Sequence, residues 1–245
     1  MKRFAVIGNP IDHSRSPEIY APLFLKHGID AEFLRIRVDI DMLPELKTIT
    51  RGLDGFAVTM PLKRAVIPYL DRIDESATSC GSVNIVSTKN GVYTGYNTDG
   101  DGLLDALSES GFSPAGKTVF ILGRGGAAAS AYRALERNGA DPVFLVRNLM
   151  GSTPYRERLF SPDPGRADLF INASPLGMKG GDDFMNFGFL DSIRPDTVFD
   201  MVYRLDDDTA LIREARRRGV NTVDGSQMLL KQALRAFRIF TGLDA

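Results

Sequence analysis

The feature that most narrows the fold is an apolar run, Thr118 to Leu122, that passes straight into Gly123-Arg124-Gly125-Gly126-Ala127-Ala128 and then into a helix-length segment reaching Asn138. Strand, glycine turn and helix in that order make a G-x-G-x-x-A arrangement. Its glycines allow a tight turn and close approach of a ligand to the backbone, and its small last residue lets the helix pack on the sheet. The unpaired amides at the helix start suit a pyrophosphate. A bare glycine pattern also occurs in ordinary strand-to-helix turns. Here a further apolar run, Pro142 to Val146, supplies the next strand of a β-α-β unit, and that context points to a dinucleotide site. The residue that discriminates between nucleotides lies roughly twenty positions on, at the tip of that second strand. It is Arg147, with no acid beside it. An acid would accept from a ribose 2′-hydroxyl, whereas a guanidinium forks onto a 2′-phosphate, so the position favours NADP; a surface arginine at a strand end is the plain alternative.

Elsewhere, strand-length apolar runs alternate with amphipathic segments of helix length, the pattern of an α/β protein with largely parallel sheets. In the first half the candidate strands are Phe4 to Ile7, Glu32 to Val38, Gly55 to Thr59, Ser82 to Ser87 and Val92 to Gly95. The last two flank Lys89-Asn90-Gly91, and Asn-Gly is a tight-hairpin signal, so this sheet is expected to be mixed. Ser16-Pro17-Glu18 reads as N-cap, first-turn proline and first-turn acid of a helix running toward Gly28, with Pro22 expected to kink it or move its start. Later strands are expected at Leu169 to Asn172, Thr197 to Met201 and Val220 to Val223, and helices at Asp99 to Gly111, Asp207 to Arg218 and Gln227 to Phe240. The acidic start Asp206 to Asp208 and basic end Arg216 to Arg218 complement a helix dipole and read as a solvated helix rather than an anion site.

Composition excludes several classes. Of 245 residues, 30 are Lys or Arg and 31 are Asp or Glu, a formal net charge of -1 that offers no summed positive field for nucleic acid or an anionic membrane. The single cysteine, Cys80, rules out an internal disulfide framework and fits a reducing compartment; two histidines, His13 and His27, make a metal site an unlikely expectation. The apolar run Phe4 to Ile7 stops at Gly8-Asn9-Pro10, too short for a signal sequence or membrane span, so the expected location is the cytosol.

The remaining polar signals sit at strand ends of the first half, where α/β folds bind ligands. Ser14 and Ser16 lie on a loop entering a helix, which suits a small carboxylate, though taken alone an N-cap serine explains it as well. Thr59 and, past Pro61, Lys63 follow a buried strand, where a lysine is often merely solvated. Asn84 stands between Val83 and Ile85, where a carboxamide needs partners. Asn97-Thr98-Asp99-Gly100 follows the hairpin and reads by itself as an N-cap.

Taken together, these stretches resemble the shikimate dehydrogenase family in order and spacing. The family's G-x-P-I-x-H-S-x-S-P corresponds to Gly8–Pro17, its N-V-T-x-P-x-K to Ala57–Lys63 except at the first position, and its A-V-N-T to Ser82–Ile85 at the central two. G-x-N-T-D-x-x-G corresponds to Gly95–Gly102, and G-A-G-G-A to Gly123–Ala127 with arginine for alanine. N-A-T-P-L-G-M corresponds to Asn172–Met178 with Ser174 for threonine, F-D-M-V-Y to Phe199–Tyr203, and G-x-x-M-L-x-x-Q-A to Gly225–Ala233. The resemblance runs over almost the whole chain.

It implies a cytoplasmic NADP-dependent oxidoreductase that reversibly reduces 3-dehydroshikimate to shikimate on the route to chorismate and the aromatic amino acids, acting as monomer or homodimer. It implies Lys63 and Asp99 as the catalytic pair, Ser14 and Ser16 on the substrate carboxylate with Tyr203 nearby, and Thr59, Asn84, Asp99 and Gln232 on ring hydroxyls. For NADP it implies Gly123, Gly125, Gly126, Ala127, Arg147, Asn172, Ser174, Met201, Gly225 and Met228, and no metal. The pair suits ketone reduction, because an ammonium both stabilises a developing alkoxide and donates its proton.

Some positions depart from the pattern. Ala57 stands for asparagine, Ser82 and Ile85 change the flanks of Asn84, and the family's N-R-[TS] becomes Val146-Arg147-Asn148. Between Arg147 and Asp168 the chain is too short for helix, strand and helix, and it carries Pro154, Pro162 and Pro164, so the edge strand and one helix are expected to be missing or reduced. The last helix pair is expected to be abbreviated. The expected organisation is an N-terminal mixed-sheet α/β substrate domain, residues 1–101 plus 222–245, and a truncated Rossmann-type NADP domain, residues 102–221. A quinate or broad-specificity dehydrogenase using NAD, and a non-catalytic paralogue that binds a shikimate-like acid, are the alternatives; a paralogue is free to lose Lys63 or Asp99, and both are present.

Overall fold

Apolar runs too short to make helices, each followed by a turn residue and an amphipathic stretch, become the strands of two six-stranded sheets in the computed structural model, which describes residues 1–149, 154–204 and 207–245. The chain divides into two compact units, Met1–Asp99 with Gln232–Ala245, and Gly100–Lys231. The second division falls later than the expected 221/222, inside the last helix, because the strand expected at Val220 to Val223 pairs with the second sheet.

In the first unit the elements run β1 (Lys2–Gly8), α1 (Ser16–Lys26), β2 (Ala31–Arg37), α2 (Leu46–Ile49), β3 (Gly55–Val58), α3 (Leu62–Ala65), β4 (Arg72–Ile73), α4 (Glu75–Thr78), β5 (Ile85–Ser87) and β6 (Thr94–Tyr96). The sheet order is β2-β1-β3-β5-β6-β4, with β1 parallel to β2 and β3, and β5 antiparallel to both β3 and β6. The hairpin turn is built as expected: Asn90 (φ 54°) and Gly91 (φ 74°) both take the left-handed region that the tight turn requires. Strand β5 is shorter than the expected Ser82 to Ser87, since Val83 N–H donates to the Lys63 carbonyl instead of to a neighbouring strand.

Alternation along β1 sends Phe4 to one face of the sheet and Ala5 to the other. Ala5, Ile7, Phe56 and Val58 pack with Leu43, Leu46 and Leu62. On the opposite face Phe4, Tyr20, Phe24 and Ile85 pack with Ala233, Ala236, Phe237 and Phe240 of the last helix. Each fully buried phenylalanine there contributes roughly 1.5–3 kcal/mol. Helix α1 includes Ser16 as its first residue, with Arg15 at the cap and no side-chain cap bond, so Ser16 is not the N-cap the sequence suggests; the helix starts where expected and passes through Pro22.

The second unit opens with α5 (Asp99–Glu109), whose first residue belongs to the first unit, and continues β7 (Thr118–Leu122), α6 (Gly126–Arg137), β8 (Asp141–Val146), β9 (Glu157–Leu159), β10 (Leu169–Asn172), α7 (Phe189–Ile193), β11 (Thr197–Asp200), α8 (Ala210–Arg217), β12 (Asn221–Asp224) and α9 (Gly225–Thr241). All pairings are parallel and the order is β12-β11-β10-β7-β8-β9, which is the doubly wound dinucleotide order with its switch point between β7 and β10. The edge strand β9 is reduced to three residues, and among the described residues no helix separates it from β8 or β10. Helix α8 begins at Ala210, not Asp207, because the Thr209 hydroxyl accepts from Ile212 N–H at 3.3 Å and fixes the N-cap there. Asp206, part of the expected acidic start, lies outside the described residues.

Candidate active site and nucleotide loop

Three loops at the strand ends of the first unit assemble one polar cluster. Strand β3 ends at Val58, and the turn Thr59–Pro61 leads into α3, where Leu62 N–H bonds the Thr59 carbonyl at 2.9 Å and Lys63 occupies the first turn. The Lys63 ammonium meets Asp99 Oδ2 at 2.5 Å. Both are shielded, with 19% and 5% of their side-chain surfaces exposed, so the pair sits away from the bulk water that would weaken it. Asp99 is fixed by being the first residue of α5, and its own N–H donates to Asn97 Oδ1 at 3.0 Å.

Asn84 ties the cluster together. Its Nδ2 donates to Asp99 Oδ1 and Thr98 Oγ1, both at 2.9 Å, and lies 3.2 Å from Gln232 Oε1, while its Oδ1 accepts from Thr98 N–H at 2.9 Å. The carboxamide the sequence singled out in a strand therefore meets its needs through Thr98 and Asp99. Thr98 Oγ1 in turn donates to Gln232 Oε1 at 3.3 Å. Lys63, Asn84, Asp99 and Gln232, expected together, are together. Thr98 is a member the sequence reading left out, although it stands inside the quoted N-T-D stretch.

The loop after β1 lies against this cluster. A Cβ on Gly8 would fall 2.4 Å from Thr59 Cγ2, so only glycine allows that approach, and Asn9 N–H reaches the Met60 carbonyl at 3.3 Å. Further along the loop, Ser14 Oγ donates to Ser16 Oγ at 3.3 Å, and Arg35 Nε holds the Ser14 carbonyl at 2.8 Å while its guanidinium also pairs Glu18. The side chains of Ser14 and Ser16 are thus neighbours at the start of α1. Tyr203 belongs to the other unit, beyond the end of β11, half-buried.

In the second unit the glycine turn joins β7 to α6. Gly123 has φ 105°, and a Cβ there would approach the Ala173 carbonyl oxygen at 3.0 Å; Gly125 caps α6, and a Cβ on it would meet nothing within 4 Å. The backbone at Gly125, Gly126 and Ala127 thus starts a twelve-residue helix beside open space, the geometry that lets phosphate oxygens approach amides. Arg147 follows β8 directly, is exposed, and has no ion pair or hydrogen bond among the described residues.

The end of β10 is held by a buried network. Asn172 Oδ1 accepts from Ser174 N–H at 3.1 Å and Ser174 Oγ at 2.6 Å, and its Nδ2 donates to the Leu176 carbonyl and Asp200 Oδ1, both at 2.9 Å. Asp200 Oδ1 also accepts from Val202 N–H at 3.0 Å and Oδ2 from Thr209 Oγ1 at 2.5 Å. Burial nevertheless pushes the Asp200 carboxyl from 3.8 up to about 6, the hydrogen bonds offsetting only part of the desolvation. The side chains of Asn172 and Ser174 therefore fasten their own loop. Met201 N–H bonds the Asn172 carbonyl at 2.9 Å, a Cβ on Gly225 would fall 2.4 Å from the Met201 carbonyl oxygen, and Met228 is buried in the core between β-sheet and helix. Asp200 is the residue sequence reading missed here; an acid inside the apolar stretch Val198–Met201 was the available signal.

Among the described residues, no group of His, Cys, Asp and Glu could hold a metal ion, and no helix is long and apolar enough to cross a membrane. A doubly wound parallel sheet with a glycine turn at its switch point, on a chain that also carries a mixed sheet with a shielded lysine–aspartate pair, places the protein among two-unit α/β proteins of the nucleotide-binding kind.

Comparison with known proteins narrows this further. The family model for the shikimate dehydrogenase substrate binding domain matches residues 6–86. The chain is 38% identical to the shikimate dehydrogenase (NADP(+)) of Rubrobacter xylanophilus over 98% of its own length and 90% of that protein's. It is 34% identical to the enzyme of the same name from Alkaliphilus metalliredigens, covering 98% and 91%. The crystal structure of shikimate 5-dehydrogenase from Thermus thermophilus in complex with NADP(H) and shikimate superposes with a TM-score of 0.86 at 30% identity, covering 99% of this chain and 94% of that one. The chain belongs to the shikimate dehydrogenase family.

Proposed function

We propose that the protein is an NADP-dependent oxidoreductase that interconverts shikimate and 3-dehydroshikimate, the chemistry that its relatives' names and the ligands of the Thermus structure give for those proteins. The observation that carries the reading is the Lys63–Asp99 pair, shielded and tied through Asn84 to Gln232. NADP when bound accepts or supplies the hydride. The residues of this chain handle the proton and the positioning. In the reductive direction the Lys63 ammonium faces the carbonyl oxygen, stabilises the charge that develops on it, and with Asp99 provides the proton; in the oxidative direction the same pair takes the hydroxyl proton away. Asp99 Oδ2 orients the ammonium, and Asn84, by donating to Oδ1, orients the carboxylate.

Thr59, Asn84 and Gln232 suit ring hydroxyls, since each carries a neutral group that both gives and accepts hydrogen bonds. Ser14 and Ser16, adjacent at the start of α1, suit the carboxylate. The nucleotide belongs on the second unit: the open backbone at Gly125, the close approach enforced at Gly123 and Arg147, which has no partner among the described residues, fit a pyrophosphate and a 2′-phosphate. Asn172, Ser174, Met201, Gly225 and Met228 are assigned to the nucleotide on the family resemblance. The units Met1–Asp99 with Gln232–Ala245 and Gly100–Lys231 then serve as substrate and NADP domains. A single buried cysteine fits work in the cytosol, as monomer or homodimer.

The test is an absorbance assay for reduced nicotinamide formed from NADP with shikimate, repeated with quinate and with NAD. Turnover with shikimate and NADP well above the other combinations is expected. Preference for quinate with NAD would establish the other dehydrogenase specificity, and no turnover with any pair would establish a binding protein.

A further inference from the structure

The nucleotide site as proposed rests its phosphate selectivity on Arg147, yet a second guanidinium stands on the same ledge. Arg124 occupies the middle of the glycine turn, where the family pattern has alanine. Its Nη1 donates to the Asn148 carbonyl at 3.3 Å, one residue beyond Arg147, so the two arginines flank one turn at the end of β8. The same Nη1 lies 3.7 Å from Glu157 Oε1. Glu157 is the first residue of the shortened edge strand β9, and its side chain is only 5% exposed, whereas Arg124 remains 42% exposed.

A shielded carboxylate and the Asn148 carbonyl both engage Nη1 of Arg124, and an arginine has five donors in a fixed planar fork, so donors remain on a side chain that is 42% exposed. We infer that Arg124, positioned by Glu157, is a second specificity-determining residue that closes with Arg147 on the 2′-phosphate of the nucleotide. A phosphate monoester carries close to two negative charges near neutrality, and two forks match it better than one.

This rests on the NADP reading of the second unit, and the probe is chosen to separate the two. Calorimetric titration with 2′,5′-ADP and with 5′-AMP isolates the 2′-phosphate without any substrate or hydride chemistry. Wild type is expected to favour 2′,5′-ADP, and Arg124→Ala to bind it about tenfold or more weakly while 5′-AMP changes by less than about twofold. Arg124→Lys, which keeps the charge and not the fork, should lose part of that and provides the comparison if the alanine variant does not fold. Glu157→Gln should weaken 2′,5′-ADP by about threefold while changing 5′-AMP by less than about twofold, a split that a merely structural role for Glu157 would not produce. Equal weakening of both probes by Arg124→Ala would mean that Arg124 packs on adenine or supports the turn, and would overturn the inference, as would affinities unchanged in both Arg124 variants. A wild type with no preference for 2′,5′-ADP would overturn the NADP reading as well.

Discussion

The two units solve recognition in opposite ways. In the first, the working groups are side chains already bonded to one another: Lys63 to Asp99, Asp99 to Asn84, Asn84 and Thr98 to Gln232, nearly all of it shielded. In the second, the glycine turn proposed for the nucleotide offers backbone and empty space at Gly125, and Arg147, at the end of β8, has no partner among the described residues. Pre-paired groups cost little further reorganisation when charge moves, which suits a chemical step. An open turn beside an exposed cation suits a ligand that arrives and leaves. The lesson is that substitutions in the first unit should register in turnover and those in the second in affinity.

The largest expected effect tests the first half of that contrast. Lys63→Ala and Asp99→Ala should each lower kcat on the order of a hundredfold or more while shikimate still binds, because several kcal/mol of transition-state stabilisation leave with one charged partner. Steady-state kinetics beside calorimetric shikimate binding would check it; near-normal turnover removes the residue from the mechanism.

Next comes Asp200, the exception within the second unit, where a charge is buried in the manner of the first. Its folded value of about 6 lies above the ordinary 3.8, so between those values the folded state binds more protons than the unfolded chain. Stability from this group is therefore fully present below pH 3.8, declines as pH rises through the window, and is lost above about 6, a span worth up to about 3 kcal/mol. Asp200→Asn, measured by denaturant melts from pH 4 to pH 7, should flatten that slope. An unchanged slope would show the carboxyl titrating normally in spite of its burial.

Arg147→Ala should weaken NADP by about 1.5–3 kcal/mol, roughly tenfold to a hundredfold, and leave NAD and shikimate almost untouched. Equal loss of both nucleotides would move Arg147 from phosphate reading to support of the turn, and would blur the contrast. The smallest effect returns to the first unit: Ser14→Ala and Ser16→Ala should each raise KM for shikimate severalfold, about 1 kcal/mol per hydroxyl, with kcat nearly constant, since a carboxylate remote from the reacting carbon is held alike in ground and transition states. If single and double variants all keep their KM, the acid group sits elsewhere.

What the sequence made legible follows the same division. Apolar runs such as Phe4–Ile7 and Thr118–Leu122 became central parallel strands because both of their faces are covered, and the hairpin after Ser87 was announced by Asn90-Gly91. Short edge pieces were not legible. Strands β4, two residues, and β9, whose Glu157 and Arg158 precede a single apolar Leu159, owe their conformation to the neighbour they pair with, and α7 is a five-residue turn set by packing of Phe189 and Ile193. At the site, Lys63, Asn84 and Asp99 stood out as polar residues beside buried strands. Thr98 did not, because its hydroxyl acquires its partners, Asn84 and Gln232, only when separate stretches of the chain are folded against it. Nor did the bond pattern of Asn172, whose partner Asp200 is set by the register of β10 on β11 and whose partner Leu176 is set by the curl of the loop that follows.

The division of α9 between the units has a consequence in time. Everything in Gly100–Lys231 is one continuous stretch, whereas the first unit needs Gln232–Ala245, which a ribosome makes after it. Until those residues emerge, Phe4, Tyr20 and Phe24 lack Phe237 and Phe240 to cover them, and Gln232 has not yet reached Asn84. At translation speeds of about 5–20 residues per second, the wait is on the order of ten seconds. During it, the aromatic side chains around Phe4 are without their α9 partners, while the second unit has all of its sequence in hand. Helix α9 is thus a latch that completes the first-made half of the molecule after the later-made half.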